Sequence, residues 1–134
     1  MQLTKFYMSN IQFFDASSFN GNLANWRPIS ALTMNSMFAG TESFMGTMGD
    51  LSNWKTSSVR DLSKIFERSS YRGSLANWNT SQVTDFSYMF QESEFSGNIS
   101  AWDVSSGTDF SFSCTFPAFA CSFLVSSDSY CRFM

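Results

Sequence analysis

Three aspartates recur at one position of the sequence, 24 residues apart (85−61=24 and 109−85=24): Asp61, Asp85 and Asp109. Carboxylates stacked in this way could bind calcium, which prefers oxygen ligands, or act as the carboxylate pair of a glycosidase. Neighbouring turns of a stack would hold them too close together for an inverting glycosidase. We therefore expect each aspartate to cap the first turn of a short helix. A calcium- or carbohydrate-binding module remains the alternative function.

Asparagines directly precede the tryptophan in three copies of the same pattern, at Asn25, Asn53 and Asn77. A column of amides on a surface could contact a ligand, so Asn53 and Asn77 join the three aspartates as candidate binding residues. The alternative interpretation is a side-chain ladder that satisfies backbone groups at a strand or turn.

Other chemistry has little basis in this sequence. Histidine is absent, which removes Ser-His and Cys-His nucleophile pairs and the commonest metal ligand. Cys114, Cys121 and Cys131 are spaced by 121−114=7 and 131−121=10 residues, which matches no zinc pattern, and their odd number leaves the disulfide state open. We predict no catalytic residue, no metal site and no cofactor, and expect that the protein is not an enzyme.

The composition favours a packed domain over a disordered chain or a nucleic-acid binder. Aromatic residues make up 18% of the 134 residues, and the net charge is only −3. Basic residues are scattered, whereas phosphate binding needs clustered lysine and arginine. The mildly basic stretch from Lys55 to Arg72 is interpreted as a solvated face. The sequence has neither an apolar run of the ~18 residues that span a membrane nor the features of a signal peptide.

The elements that would position these residues come from an internal repeat. Tryptophans lie at 26, 54, 78 and 102, so their spacings are 54−26=28, 78−54=24 and 102−78=24. An aliphatic residue lies three positions before each tryptophan and a glycine five before. Phe14, Phe66 and Phe90 lie twelve before, while Phe38 lies sixteen before Trp54, which assigns four extra residues to the loop Thr41 to Met48. The predicted repeat core comprises Leu23, Trp26, Phe38, Leu51, Trp54, Leu62, Ile65, Phe66, Leu75, Trp78, Val83, Phe86, Met89, Phe90, Ile99 and Trp102.

Each copy is predicted to contain one short strand and one short helix. The block around the tryptophan is short and follows a glycine, as expected for a strand. In the next segment, apolar residues at 83, 86, 89 and 90 have the spacing of one helical face, and Ser81 precedes them as a candidate cap. The predicted fold class is an α/β repeat solenoid in which stacked copies bury each other's apolar side chains.

Two segments carry a family resemblance: Asn79-Thr-Ser-Gln-Val-Thr-Asp-Phe-Ser-Tyr-Met-Phe90 and Phe19-Asn-Gly-Asn-Leu-Ala-Asn-Trp26. They resemble the BspA-like leucine-rich repeat surface proteins of bacteria and protists. The resemblance implies a leucine-rich-repeat-like, right-handed coil with one parallel strand and one helix per repeat. It also implies a protein or a glycan as partner, and a role in adhesion at a cell surface or outside the cell.

The repeats divide the chain into three parts. Residues 1–12 contain a degraded copy (Leu3 to Met8), residues 13–113 hold about four tandem repeats, and residues 114–134 form a cysteine-containing tail without the repeat. This organisation suggests a piece of a longer array, and a fragment with no independent function is a further alternative.

Overall fold

The computed structural model describes residues 13–113, and the predictions for residues 1–12, for the tail 114–134 and for its three cysteines lie outside that range. Within it, the chain winds into stacked coils without a helix or an extended strand. Among the described residues, isolated parallel bridges join Thr33 to Asp61, Asp61 to Asp85, and Asp85 to Asp109. The predicted α/β architecture, with one helix and one strand per repeat, is therefore wrong.

Consecutive coils are joined by backbone hydrogen bonds along one part of the repeat, which we call the ladder segment (residues 32–40, 60–68, 84–92 and 108–113). Every second amide donates to a carbonyl of the next coil: Leu62 to Asp85 at 3.0 Å, Lys64 to Ser87 at 2.9 Å and Phe66 to Met89 at 3.0 Å. The preceding and following coils repeat this arrangement. Because these amides are satisfied between coils, the segment needs no helical hydrogen bonds.

The ladder segment is the region predicted to be helical, and its local geometry explains why a helix does not form. Its internal bonds close four-residue β-turns, such as Ile65 N–H to the Leu62 carbonyl at 3.2 Å. Positive φ angles recur at two positions of the coil. One position includes Lys64 at 57° and Tyr88 at 56°, and the other includes Arg68 at 51°. A residue in the left-handed region ends a right-handed helical turn. The apolar spacing that resembled a helical face thus arises from successive turns.

The block around each tryptophan, predicted to be a strand, is also a turn. The tryptophan N–H donates to the carbonyl three residues earlier, as in Trp54 to Leu51 at 3.0 Å and Trp78 to Leu75 at 3.1 Å. We call these the Trp turns. The same carbonyls also accept the indole N–H of the next coil: Trp78 Nε1 lies 2.9 Å from the Leu51 oxygen, and Trp102 Nε1 lies 3.1 Å from the Leu75 oxygen. Trp54, Trp78 and Trp102 therefore each close their own turn and bond to the turn of the preceding coil.

The core consists of side chains stacked in columns. Neighbouring indoles from Trp26 to Trp102 lie 6.2 to 6.4 Å apart and within 9° of parallel. The predicted core residues, apart from Trp26, are at most 8% exposed, and Trp26 is partly buried. A further aromatic column was missed by the sequence analysis; its members are Phe19, Phe44, Tyr71 and Phe95.

The structure revises the register of the first copy. Phe13, and not Phe14, stacks on Phe38 at 5.6 Å, and Phe14 is 48% exposed. The four extra residues before Trp54 lie on both sides of Phe44. One lies before it, because 44−38=6 where 71−66=5 is the usual spacing, and three lie after it, because 54−44=10 where 78−71=7 is usual. The insertion thus lies close to the predicted loop.

Candidate functional site

The aspartate column forms turn caps. Asp61 Oδ1 accepts the Ser63 N–H at 2.9 Å and the Ser63 hydroxyl at 2.6 Å. Asp85 and Ser87 repeat the pair at 2.9 and 2.7 Å. These Asx turns hold the ladder segment in its turn geometry. The predicted capping of a helix by these aspartates is therefore wrong, since the capped element is a turn.

The electrostatics of the column agree with a capping role. The Ser111 backbone N–H and then its side chain lower the pKa of Asp109, because they stabilise the carboxylate. The second oxygen of Asp61 accepts the Thr33 hydroxyl at 3.2 Å. Between residues 13 and 113 there is no cluster of three or more Asp, Glu, His or Cys residues that could hold a metal ion.

The asparagine column lies on the Trp turns. Asn25, Asn53 and Asn77 are all exposed. Within residues 13–113 their side chains make no hydrogen bond, so the predicted ladder to backbone groups does not form here. The amides face solvent and are free to contact a ligand. The structure thus separates the two candidate columns, because the aspartates serve the fold and the asparagines do not.

Two more columns of turn caps escaped the sequence analysis. One lies four residues before the tryptophans, where Asp50 Oδ1 accepts the Ser52 N–H at 3.1 Å and Asn98 Oδ1 accepts the Ser100 N–H at 2.9 Å. The other directly follows the tryptophans and contains Asn79 and Asp103. The hydrogen bonds from Ser105 lower the pKa of Asp103. The signal was available in the sequence as Asp or Asn followed two positions later by Ser.

Part of the outer surface of the ladder segments, which we call the ladder face, is formed by Leu32, Arg60, Lys64, Arg68, Tyr88 and Phe112. The same segments also expose the acidic residues Glu92 and Asp109. Lys64 Nζ lies 5.3 Å from the centroid of the Tyr88 ring, which stacks on Phe112 at 4.9 Å. Phe112 is 37% and Leu32 58% exposed. Cations and apolar groups therefore meet on one exposed surface.

One ion pair on this face spans two coils. The Arg68 guanidinium lies 3.0 Å from the Asp15 carboxylate, and both side chains are more than half exposed. Gly40 of the intervening coil has a φ of 72°, and a Cβ there would collide with that carboxylate. The glycine thus leaves room for the ion pair. A second ion pair joins Arg72 to Glu94 of the next coil at 2.7 Å.

Comparisons with known proteins identify a family for the chain. No helix of residues 13–113 could cross a membrane. Neither the curated proteins nor the solved structures contain a match. A family model described as "Mycoplasma protein of unknown function, DUF285" matches residues 4–70 and again residues 45–118. This is consistent with the BspA-like resemblance, which remains a prediction. Because the two matches together cover residues 4–118 of 134, the chain belongs to this family of unknown function.

Proposed function

We propose that the protein is a non-catalytic binding module of a cell-surface or secreted protein, and that it binds a protein partner through its ladder face. The observation that carries the proposal is the contact of Lys64 with the Tyr88 ring, which stacks on Phe112, on the same face as the exposed cation Arg60. Arg68 also lies on this face, where its guanidinium is paired with Asp15. Arginine and aromatic residues are enriched at protein interfaces, where rigid rings bury large areas at low entropic cost.

The distribution of charge supports a partner with acidic groups. Residues 55–72 contain five basic and two acidic residues, whereas residues 78–97 contain three acidic residues and no basic one. The basic band therefore contrasts with its acidic neighbour even though the whole chain is negative. A partner that places carboxylates over Arg60 and Lys64 and an apolar side chain against Phe112 would complement both features.

The aspartate column gives little support to the alternative function, a calcium- or carbohydrate-binding module. The carboxylates of Asp61 and Asp85 accept hydrogen bonds from their own turns, and a cation would have to compete with those bonds. The asparagine column is the better candidate for a glycan ligand, because its amides are exposed and make no internal bond.

Binding to a panel of purified extracellular and cell-surface proteins and glycans, followed by biolayer interferometry, tests the proposal. We expect a saturable protein ligand whose affinity falls at least tenfold in Tyr88→Ser and Phe112→Ser and weakens with added salt. The matched control Asn53→Ser/Asn77→Ser should bind as the parent does. A loss of binding in the asparagine variant alone would assign the site to the Trp turns and refute the ladder face.

A further inference from the structure

Two tripeptides of the sequence have the form Asn-x-Ser in which x is not proline: Asn79-Thr80-Ser81 and Asn98-Ile99-Ser100. This is the acceptor pattern for N-linked glycans in secreted proteins. The other asparagines, including Asn53 and Asn77, lack a hydroxyl residue two positions later. Because so short a pattern also occurs by chance, the exposure and hydrogen bonding of each asparagine must show whether it can accept a glycan.

Both acceptor side chains are exposed and have the same local geometry. Asn79 Oδ1 accepts the Ser81 N–H at 3.1 Å and the Ser81 hydroxyl at 2.7 Å, and Asn98 Oδ1 accepts the Ser100 N–H at 2.9 Å. The amide oxygen thus faces the serine. The Nδ2 nitrogens, which would carry the sugar, donate no hydrogen bond within residues 13–113, and both residues are exposed.

We propose that Asn79 and Asn98 are N-glycosylation sites. The inference rests on the secreted or cell-surface location put forward as part of the proposed function. The donor is an oligosaccharide carried on a polyprenyl diphosphate, as used by an oligosaccharyltransferase. Nδ2 forms a bond to the anomeric carbon, the bond from that carbon to the phosphate oxygen breaks, and the amide loses one proton as the lipid diphosphate leaves.

The burial of the middle residues determines when this transfer takes place. Thr80 is 1% and Ile99 is 2% exposed, and the Thr80 hydroxyl donates to the Asp103 carbonyl at 2.9 Å. An enzyme that must bind the whole tripeptide has no access to these residues after the coils have stacked. Transfer therefore precedes stacking, and the finished protein holds the glycans at the edges of the Trp turns, outside the ladder segments.

The repeat itself provides substitutions that remove the acceptor nitrogen and keep the turn. Asp103 occupies the column of Asn79, and Asp50 occupies that of Asn98, and both form the same cap to a serine two positions on. Asn79→Asp and Asn98→Asp therefore remove the nucleophile at little cost to the fold. Asn77→Asp is the control for added charge at an exposed asparagine without the acceptor pattern.

The test is expression in a eukaryotic host with a cleavable secretion leader, followed by gel mobility and mass spectrometry of secreted and retained chains, with and without an amide-cleaving glycosidase. The parent and Asn77→Asp should carry two glycans, each single acceptor variant one, and the double variant none. Refolded, unmodified protein should be a poor acceptor for the purified transferase. A chain that enters the secretory pathway and gains no glycan overturns the inference, and modification at one position alone overturns it for the other.

The result is independent of partner binding. The added leader directs the chain into the secretory pathway, and Tyr88→Ser should retain both glycans even where it abolishes binding. If glycosylation fails while ladder-face binding persists, only the present inference is lost. If both glycans form and no ligand is found, only the proposed binding role is lost.

Discussion

Replacing Trp78 by phenylalanine tests whether the indole bond between coils stabilises the stack. The side chain is 3% exposed, and its Nε1 donates to the Leu51 carbonyl at 2.9 Å. The Leu51 carbonyl keeps the hydrogen bond from the Trp54 N–H, so the substitution does not leave it unsatisfied. Losing the indole hydrogen bond therefore costs about 1 kcal/mol. The smaller ring removes roughly 50 Å² of buried area, or about 1 kcal/mol, and leaves a small cavity. The expected loss in free energy of unfolding is therefore about 2–3 kcal/mol.

Trp26 provides the matched control, because it belongs to the same column but is only partly buried. Its Nε1 has no hydrogen-bond partner within residues 13–113. Trp26→Phe should therefore cost about 1 kcal/mol or less. Urea denaturation followed by the fluorescence of the remaining tryptophans measures both losses. At about 3–5 °C per kcal/mol for a domain of this size, the Tm should fall by roughly 6–15 °C in Trp78→Phe.

Equal losses in the two variants would show that the indole N–H contributes nothing to the coupling of coils. A loss below about 1 kcal/mol in Trp78→Phe would refute the area and hydrogen-bond reasoning together. A broadened transition with a lower m-value in Trp78→Phe would instead show that the stack separates at this coil, as expected when each repeat contacts only its neighbours.

Three further outcomes follow from single positions. Ser36 has a φ of 55°, so Ser36→Gly should raise the free energy of unfolding by about 0.5–1 kcal/mol, whereas Ser58→Gly, outside the left-handed region, should lower it in the same urea titration. Gly40→Ala should lower it by about 1–3 kcal/mol, because φ is 72° and the methyl group meets the Asp15 carboxylate; an unchanged midpoint would contradict the clash. Burial raises the pKa of Tyr71 well above its ordinary value of 10.0, so the neutral hydroxyl stabilises the fold below pH 10 and this contribution is lost as the pH rises further. Tyr71→Phe should be less stable than the parent at pH 7, with a deficit that shrinks by about 1.4 kcal/mol per pH unit above 10 in alkaline urea titrations; a constant deficit would show that the hydroxyl titrates normally.

The repeat period and most of the core could be predicted from the sequence because they depend on residue type at fixed spacing. The conformation of each coil could not. Apolar residues at 83, 86, 89 and 90 fit a helix and a series of β-turns equally well, since both return a side chain to one face after three residues. The deciding property is the partner of each amide. The Phe86 amide donates to Asp109, 23 residues away, at 2.8 Å, and no local pattern reveals that choice.

For a related physical reason, the recurrence of the aspartates alone could not decide whether they serve a ligand or the fold. A residue that recurs in every copy can serve a ligand or the repeat itself, and recurrence does not separate the two. Asp85 recurs because its carboxylate caps Ser87, and in the coil where Thr33 occupies this column its hydroxyl accepts the Asn35 N–H at 3.1 Å instead. The sequence nevertheless contained the distinguishing sign, because a serine follows each of Asp61, Asp85 and Asp109 two positions later. A ligand site has no need of that serine.

Comparison of copies within the chain then indicates where specific recognition can reside. The tryptophan column keeps one residue type, because the indoles of Trp54, Trp78 and Trp102 each bond to the preceding turn. The column three residues earlier stays aliphatic, as Leu23, Leu51, Leu75 and Ile99. On the ladder face, the column of Lys64 continues as Tyr88 and Phe112, and the coils stack through all three. Since the backbone ladder is satisfied by main-chain atoms alone, the stack imposes little on these outward side chains. Their chemistry is therefore free to differ between coils, which is why the proposed binding function rests on this surface and not on the repeated aspartates.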